Sequence, residues 1–356
     1  MMTTLRRSLS NGAQVGIIKI LNLCKQAVSM DIQGGTQVNN QVSGDAAAEA
    51  ALRHESADET QTVKASDEPV TLKDFYRLAK PGIIYSNLMT AFAGFWIASH
   101  GDVDWLRLLY TMLGAGLVIG GGCVLNNYLD REMDAKMART QQRALPSGKL
   151  SPNTVLWYGI ILGLIGVFML YVLARSPLAT LLGLIGLFLY VWLYTAWFKR
   201  TSVWSTFVGS FSGAVPPIIG YCAVSGTVDL GAILLFLFLF LWQPPHFWAL
   251  GIRRMEEYRA AGFPLLPVVK GTFVTKVSMV RYIVLLVPVS IMLTVYGYVG
   301  YFFMIVATAL GLIWALMCVT GFKTDDETKW AKNMFLFSIA YLTLLSIMMV
   351  VDTVQA

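Results

Sequence analysis

Seven uncharged stretches of this chain have the length that crosses a lipid bilayer: 81–101, 108–129, 150–174, 176–198, 201–228, 230–252 and 333–351. A membrane-spanning helix needs roughly 20 predominantly apolar residues. An eighth stretch, 282–322, is long enough for two helices, and YGYVGY at 296–301 marks the expected turn, because glycine interrupts helices. The sequence therefore predicts an all-α polytopic membrane protein with nine transmembrane helices. With 13% charged residues against the ~25% usual for soluble domains, a large soluble enzyme is excluded.

The distribution of Lys and Arg predicts the orientation of these spans. Sixteen bases lie in the loops after spans 2, 4, 6 and 8, and only Arg107 and Arg175 lie in the loops on the other side. Because positive loops stay in the cytoplasm, we expect a cytoplasmic N-terminus and an external C-terminus. The net charge of +6 follows from this topology, and we expect a lipid bilayer and no nucleic acid as a partner.

The N-terminal segment differs in composition from the rest. Residues 1–71 are predicted to form a disordered polar cytoplasmic tail, because they offer little apolar surface to bury, and residues 72–356 the transmembrane domain. The basic segment 1–29 leaves an amphipathic surface helix and an organellar presequence as alternatives. We expect a bacterial cytoplasmic membrane, with the mitochondrial inner membrane as the alternative, because the tail contains acids that a presequence lacks.

Three polar residues at the end of the second span share one helix face. Asn126, Asp130 and Asp134 follow each other at intervals of four, one helical turn apart. Two stacked carboxylates repel each other, and the negative C-terminal end of the helix gives no compensation. A divalent cation resolves this, and Mg²⁺ prefers such oxygen ligands. We therefore predict magnesium on Asp130 and Asp134; a solvated, salt-bridged loop end is the alternative.

Basic residues surround this triplet. Lys136, Arg139 and Arg143 follow on a common face if the helix continues, and Tyr194, Lys199 and Arg200 end the fourth span on the same side. These six residues are predicted to bind a diphosphate. A pocket with an acidic, metal-binding rim, basic neighbours and an apolar interior suits an amphiphile with a diphosphate head and a hydrocarbon tail.

A single histidine lies inside a predicted span. His246 directly follows Pro244 and Pro245, which are expected to interrupt the sixth span, as Pro216 and Pro217 interrupt the fifth. Ionisable residues at membrane depth are expensive and typical of functional sites. His246 is therefore a candidate site residue, and a packed core histidine is the alternative. Trp192, Trp242, Phe247 and Trp248 are expected to line the same cavity or to pack in the bundle.

Four segments together resemble a known family: NNYLDREMDAKMART followed by RALPSGKLS, YTAWFKRTSVW, SGAVPPIIGY and WQPPHFWALGIRRMEEYRAAGFPLLPVV. They are similar to the protohaem IX farnesyltransferases (haem O synthases), the haem-modifying branch of the UbiA-type intramembrane prenyltransferases. The resemblance covers about 72–350. It implies a nine-helix bundle, magnesium, and transfer of a farnesyl group from farnesyl diphosphate to haem b, with Asn126, Asp130, Asp134 and His246 as catalytic residues. A downstream haem A synthase is a candidate partner.

One departure from the family concerns a second acidic motif. Many relatives carry a second pair of aspartates four residues apart after span 6, where this chain has only Glu256 and Glu257. Adjacent residues on a helix point about 100° apart, so they do not form the same paired face. Glu256 and Glu257 remain candidates for a second acidic site. A prenyltransferase acting on another ring acceptor, such as a quinone precursor, and a secondary transporter are the alternative functions.

Overall fold

The computed structural model describes residues 69–355. Within them the chain is helical, and the only extended pairing is an isolated bridge between Val299 and Thr353. The predicted tail at 1–71 lies almost wholly outside the described residues. Its disorder and its alternatives stay predictions.

Eleven helical elements follow one another in the described part of the chain. They are α1 (Leu72–Leu78), α2 (Pro81–Ser99), α3 (Trp105–Ala135), α4 (Pro152–Leu173), α5 (Pro177–Thr201), α6 (Ser205–Ser225), α7 (Leu230–Arg253), α8 (Met255–Ala260), α9 (Leu266–Val295), α10 (Tyr301–Lys323) and α11 (Glu327–Val351). The last five residues of α4 and ten residues near the end of α5 are wound as π-helix.

Eight of these helices are long and apolar enough to cross a membrane, so the protein is an integral membrane protein. They are α3, α4, α5, α6, α7, α9, α10 and α11. Helix α2 is 19 residues long and occupies the first predicted span, but its composition is less apolar and it is not among the eight. The predicted count of nine is therefore approximate. The predicted turn at 296–301 is confirmed, because α9 ends at Val295, Gly297 adopts a φ of 77°, and α10 begins at Tyr301.

Short polar residues start many of these helices. A side-chain oxygen of the N-cap residue accepts a hydrogen bond from the backbone N–H three residues on at Asp104, Ser151, Ser176, Asp229 and Asp326. Such caps satisfy donors that have no partner within the helix. Proline occupies the first helical position after Ser151 and Ser176, where its missing N–H costs nothing. The first four of these starts lie close to the start of the predicted span, whereas α11 begins at Glu327 instead of the predicted 333.

The two proline pairs have different effects on their helices. Pro216 and Pro217 lie in the first turn of the second half of α6, after a break at Ala214. Pro244 and Pro245 do not interrupt α7, which runs through them as one helix. The Gln243 side-chain amide donates to the carbonyl oxygens of Leu239 in α7 and Ser210 in α6, both at 3.1 Å, and so links the two helices next to the prolines. The predicted interruption of the sixth span was therefore wrong, whereas the fifth span does break beside its proline pair.

Glycine permits close helix contacts on both sides of the site. A Cβ on Gly94 of α2 would overlap the Pro217 carbonyl of α6, and one on Gly121 of α3 would lie 2.8 Å from the Gly159 carbonyl oxygen of α4. Small residues allow helix backbones to approach in this way in membranes. These contacts pack α2 against α6 and α3 against α4.

Candidate active site

One cavity of about 400 Å³ contains most of the polar residues singled out in the sequence. Its polar wall comprises Lys80, Asn126, Asp130, Asp134, Arg139, Arg143, Tyr190, Tyr194, Lys199 and Tyr258. Its other wall includes Trp242, Gln243, His246, Phe247 and Leu342. A cavity of this size is typical of small-molecule sites, and this one combines a charged region with an apolar one.

Asp130 is the most enclosed acid in the cavity. Its side chain is 3% exposed, although it carries a charge. Its Oδ2 accepts hydrogen bonds from Lys199 Nζ and, at 2.9 Å, from Asn126 Nδ2. A buried carboxylate requires such partners, because burial without them is costly. Its Oδ1 is buried and accepts no hydrogen bond from the described residues, and Arg200 Nη2 lies 3.5 Å away.

Asp134 lies one turn further along α3. Arg143 Nη1 donates to its Oδ2 at 2.7 Å and also reaches Asn127 Oδ1 at 3.3 Å. Thr140 Oγ1 donates to the backbone carbonyl of Asp134 at 2.7 Å and fixes the turn after the helix. The loop that follows α3 therefore folds back and returns a guanidinium to the acid face.

Asn126 connects three elements. Its Oδ1 accepts a hydrogen bond from Lys80, which lies at the start of α2. Its Nδ2 donates to Asp130 Oδ2 and to Thr195 Oγ1 of α5, each at 2.9 Å. Asn126, Asp130 and Asp134 all line the cavity, as their spacing on one face of α3 predicts.

A divalent cation fits this arrangement only together with ligands from a substrate. No cluster of three or more His, Cys, Asp or Glu side chains that could hold a metal occurs in residues 69–355. Asp130 and Asp134 nevertheless offer carboxylate oxygens on one face, and Asp130 Oδ1 is a buried acceptor without a donor. Mg²⁺ commonly binds through one or two carboxylates and completes its shell with water and substrate phosphates. The donor set therefore fits magnesium bound with a diphosphate.

The predicted diphosphate-binding residues divide into two groups. Arg139, Arg143, Tyr194 and Lys199 line the cavity. Arg200 lies beside it, where its guanidinium donates to the Leu129 carbonyl and approaches Asp130. Lys136 is exposed and does not line the cavity, because α3 ends at Ala135 and the face that it would continue is lost.

Glu256 and Glu257 lie on the short helix α8, and the structure does not bring them to the cavity wall. Glu256 accepts from Arg259 at 2.5 Å, and Glu257 accepts from Arg254 at 2.9 Å. Each acid is thus paired with an arginine three residues away. The second acidic site stays a prediction without geometric support.

His246 lies on the apolar wall of the cavity. The indole of Trp242 stacks on one side with ring centroids 4.5 Å apart, and Phe335 stacks at 4.7 Å. Its Nδ1 is 2.6 Å from Ser338 Oγ of α11. Of the four predicted aromatic lining residues, Trp242 and Phe247 line the cavity. Trp192 does not line it and is 62% exposed, and the buried Trp248 packs against Tyr282.

Several cavity residues were not identified from the sequence. One of them is Lys80, whose ammonium group lies in the cavity wall. The pKa of this group is lowered to about 8, mainly by burial and in addition by the nearby charges of Lys199 and Arg143. Tyr190, Tyr258 and Phe263 also line the cavity, and Phe263 places its ring 5.0 Å from the Lys199 ammonium nitrogen. A lysine directly before the proline that begins α2 was the available signal for Lys80.

Comparison with known proteins identifies the family. A family model described as the UbiA prenyltransferase family matches residues 87–340, which include Asn126, Asp130, Asp134 and His246. The chain belongs to the UbiA prenyltransferase family. Membership decides between a prenyltransferase and the transporter that the sequence left open: the protein is a prenyltransferase.

Two relatives illustrate the similarity in sequence. Protoheme IX farnesyltransferase 1 of Bacillus subtilis (strain 168) is 53% identical over 305 residues, which cover 83% of this chain and 94% of that protein. Protoheme IX farnesyltransferase of Yersinia pseudotuberculosis serotype O:3 is 45% identical over 281 residues, covering 79% of this chain and 95% of that protein.

Solved structures show the same fold. A digeranylgeranylglyceryl phosphate synthase has a TM-score of 0.67 at 19% identity, covering 80% of this chain and 99% of its own. A UbiA homolog from Archaeoglobus fulgidus, bound to GPP and Mg²⁺, has a TM-score of 0.62 at 14% identity, covering 78% and 99%. The predicted UbiA-type helical bundle is confirmed.

Proposed function

We propose that this protein transfers the farnesyl group of farnesyl diphosphate to a vinyl group of haem b, with addition of water, giving haem O and diphosphate. The observation that carries the proposal is a single cavity with a buried acid–base cluster in one wall and a stacked histidine in the other. The charged wall suits a diphosphate head and the aromatic wall suits a planar ring. The names of the relatives at 45–53% identity support these two substrates.

The first step is departure of the diphosphate. The allylic C–O bond of the donor breaks, its electron pair leaves on the diphosphate oxygen, and the farnesyl carbon becomes a delocalised cation. Lys80, Arg139, Arg143 and Lys199 supply positive charge in the cavity wall, where donors can meet the growing negative charge. Magnesium, held by Asp130 and Asp134, would add Lewis-acid stabilisation of the leaving oxygens.

The second step forms the new carbon–carbon bond. The vinyl π electrons attack the farnesyl carbon through the terminal vinyl carbon, which leaves a cation on the carbon next to the porphyrin, where the ring stabilises it. Water adds to that carbon and loses a proton to the departed diphosphate or to solvent. The product is a hydroxyethylfarnesyl side chain. An enclosed apolar cavity protects the first cation from water.

Binding of the two substrates would divide the cavity between them. Tyr190 and Tyr194 stack on each other with centroids 5.9 Å apart beside the charged wall, where the allylic end of the donor would lie. Trp242 and Phe247 line the other wall. Asn126 forms hydrogen bonds with Lys80, Asp130 and Thr195 of α5, and so would hold the Asp130 carboxylate close to the basic side chains of the cavity wall.

Localisation and partners follow as proposals. We infer a bacterial cytoplasmic membrane with the basic loops inside, because sixteen bases lie on one side of the predicted spans and two on the other. The product would be passed to an enzyme that oxidises haem O, a haem A synthase. Orientation can be tested with Lys270→Cys and Val354→Cys in a cysteine-free background. An impermeant label should reach position 354 but not 270 in intact cells, and the reverse would overturn the orientation.

Reconstitution tests the function directly. The purified protein in detergent is incubated with haem b, farnesyl diphosphate and magnesium, and the products are separated by chromatography and weighed by mass spectrometry. We expect a haem whose mass has increased by one farnesyl group and one hydroxyl group. Absence of that product, with prenylation of a quinone precursor under the same conditions, would replace haem by another ring acceptor.

A further inference from the structure

The hydrogen bonds around His246 are asymmetric. Its Nδ1 lies 2.6 Å from Ser338 Oγ, and no described residue forms a hydrogen bond with its Nε2. Ser338 is fully buried on α11, 92 residues away in sequence. Trp242 and Phe335 stack on the imidazole with interplanar angles of 22° and 27°. The ring therefore has a fixed orientation, with one nitrogen bonded to the protein and the other without a partner.

The second contact of Ser338 determines where the proton lies. Ser338 Oγ is also 2.6 Å from the Phe335 carbonyl oxygen. A hydroxyl has one proton to donate, and a carbonyl oxygen has none. Two oxygens at 2.6 Å without a proton between them would repel, so the Ser338 hydroxyl donates to Phe335. The imidazole Nδ1 must then carry a proton and donate it to Ser338 Oγ.

Trp242 braces the same arrangement from α7. Its indole Nε1 donates to the backbone carbonyl of Ser338 at 2.9 Å, while its ring stacks on His246. One residue thus fixes both the histidine ring and the turn of α11 that carries its partner. No acidic side chain is among the hydrogen-bond or ring contacts of His246 in the described chain, so nothing there favours a doubly protonated imidazolium.

The tautomer separates the roles that His246 can have. A neutral imidazole protonated on Nδ1 has a lone pair and no proton on Nε2. It cannot donate a hydrogen bond from Nε2 to a porphyrin propionate or to a diphosphate. It can ligate a metal ion, and iron accepts imidazole nitrogen.

We infer that Ser338 is a positioning residue that holds His246 as its Nδ1-protonated tautomer, so that Nε2 ligates the iron of the haem acceptor; this rests on the function proposed above. Ser338 itself does not touch the substrate. The bond from iron to His246 would fix the centre of the porphyrin against the apolar wall. A histidine that ligates metal usually has its other nitrogen bonded in this way, and loss of that partner commonly lowers metal affinity 10–100-fold.

Comparison of two porphyrins tests the inference. Haem b and iron-free protoporphyrin IX are titrated separately into the full-length protein in detergent and followed by absorbance. The variants are Ser338→Ala and, as a matched control, Ser278→Ala, which removes another buried helix hydroxyl that bonds only a backbone carbonyl. We expect wild type to bind haem more tightly than protoporphyrin, and Ser338→Ala to lose about 10–100-fold in haem affinity while protoporphyrin affinity is unchanged.

A second variant tests iron ligation by His246 directly, so that the test does not depend on whether Ser338→Ala folds. His246→Gly leaves a space in which added imidazole can ligate iron. We expect the absorbance spectrum of histidine-ligated haem to be lost in this variant and to return as imidazole is added. A spectrum that is the same in wild type and His246→Gly would overturn ligation by His246.

The remaining outcomes separate the inference from the function. Equal, tight binding of both porphyrins by wild type would overturn iron ligation and leave haem as the acceptor. Equal losses for both porphyrins in Ser338→Ala would assign Ser338 a structural role only. Failure of wild type to bind either porphyrin would overturn the proposed acceptor and the inference with it.

Discussion

Lys199 on α5 donates a hydrogen bond to the Asp130 carboxylate on α3, 69 residues earlier in the chain. The two side chains are mostly buried, with exposures of 18% and 3%. A buried ion pair is weak evidence for stability, because desolvation offsets much of its attraction. Its position in the cavity wall indicates that the pair serves the site, where Lys199 can exchange the carboxylate for a substrate phosphate.

Neutralisation of the acid face should remove activity. Asp130→Asn and Asp134→Asn keep the size of each side chain but lose the charge that would hold magnesium, so we expect turnover to fall by at least about 10²-fold, as on loss of one transition-state-stabilising group. Chelation with EDTA should have the same effect on wild type. Turnover is measured by product formation from haem b and farnesyl diphosphate.

Glu132→Gln is the matched control for these variants. Glu132 lies between the two aspartates on α3, but its side chain is 73% exposed and pairs with Arg131. It should retain activity close to wild type. Full turnover in either aspartate variant, or in EDTA, would contradict the magnesium assignment.

The ammonium group of Lys80 should give the reaction an alkaline limit. Its pKa is lowered to about 8, mainly by burial, so the charged form that attracts a diphosphate is present below that pH and is lost as pH rises through it. Because kcat/KM reports the free enzyme, kcat/KM for the prenyl donor should fall above pH 8. The measurement is a pH profile of kcat/KM at saturating acceptor.

Lys80→Arg tests the origin of that limit. Arginine stays charged throughout this range, so its profile should be flat up to about pH 10. If kcat/KM of Lys80→Arg falls with pH in the same way as kcat/KM of wild type, the alkaline limit belongs to another group.

Most of the helix pattern could be predicted from the sequence. In lipid, backbone polar groups must be satisfied within the segment, so a long apolar stretch has few alternatives to a helix. The predicted 230–252 and the observed Leu230–Arg253 agree almost to the residue. Helix α9 was the exception, because its helical residues begin at Leu266 and resume after a kink at Gly271, which has a φ of 78°, well before the predicted start at 282. Its first part contains Lys276, which is buried against Glu327 and the Gly321 carbonyl, and no bilayer-length apolar stretch indicates such a segment.

The candidate site was predictable only where its residues share one helix. The spacing of Asn126, Asp130 and Asp134 indicates a common face by helical period alone. Lys80 and Ser338 contact the site through tertiary packing between distant helices, and an isolated lysine or serine carries no periodic signal. The two adjacent glutamates suggested a second acidic site, but each of them is paired with an arginine three residues away.

Those glutamates allow a direct test of the second acidic site. Glu256→Gln and Glu257→Gln should change turnover less than twofold, because each acid is paired with an arginine three residues away and neither lines the cavity. Exposed pairs of this kind contribute only about 0–1 kcal/mol to stability. The assay is turnover across a magnesium titration. A marked loss of turnover that added magnesium reverses would instead establish a second metal site.

The contact between α2 and α6 should be intolerant of a single methyl group. A Cβ on Gly94 would overlap the Pro217 carbonyl, and backbone on a packed helix cannot move away as a flexible side chain can. Overpacking of this kind typically costs about 1–3 kcal/mol, so Gly94→Ala should lower the temperature at which the detergent-solubilised protein unfolds. Gly82→Ala, on the same helix but with no neighbour within 4 Å of the added carbon, should be neutral or slightly stabilising, because alanine favours helix. Equal melting temperatures for the two variants would show that α2 and α6 do not approach as closely as their glycines allow.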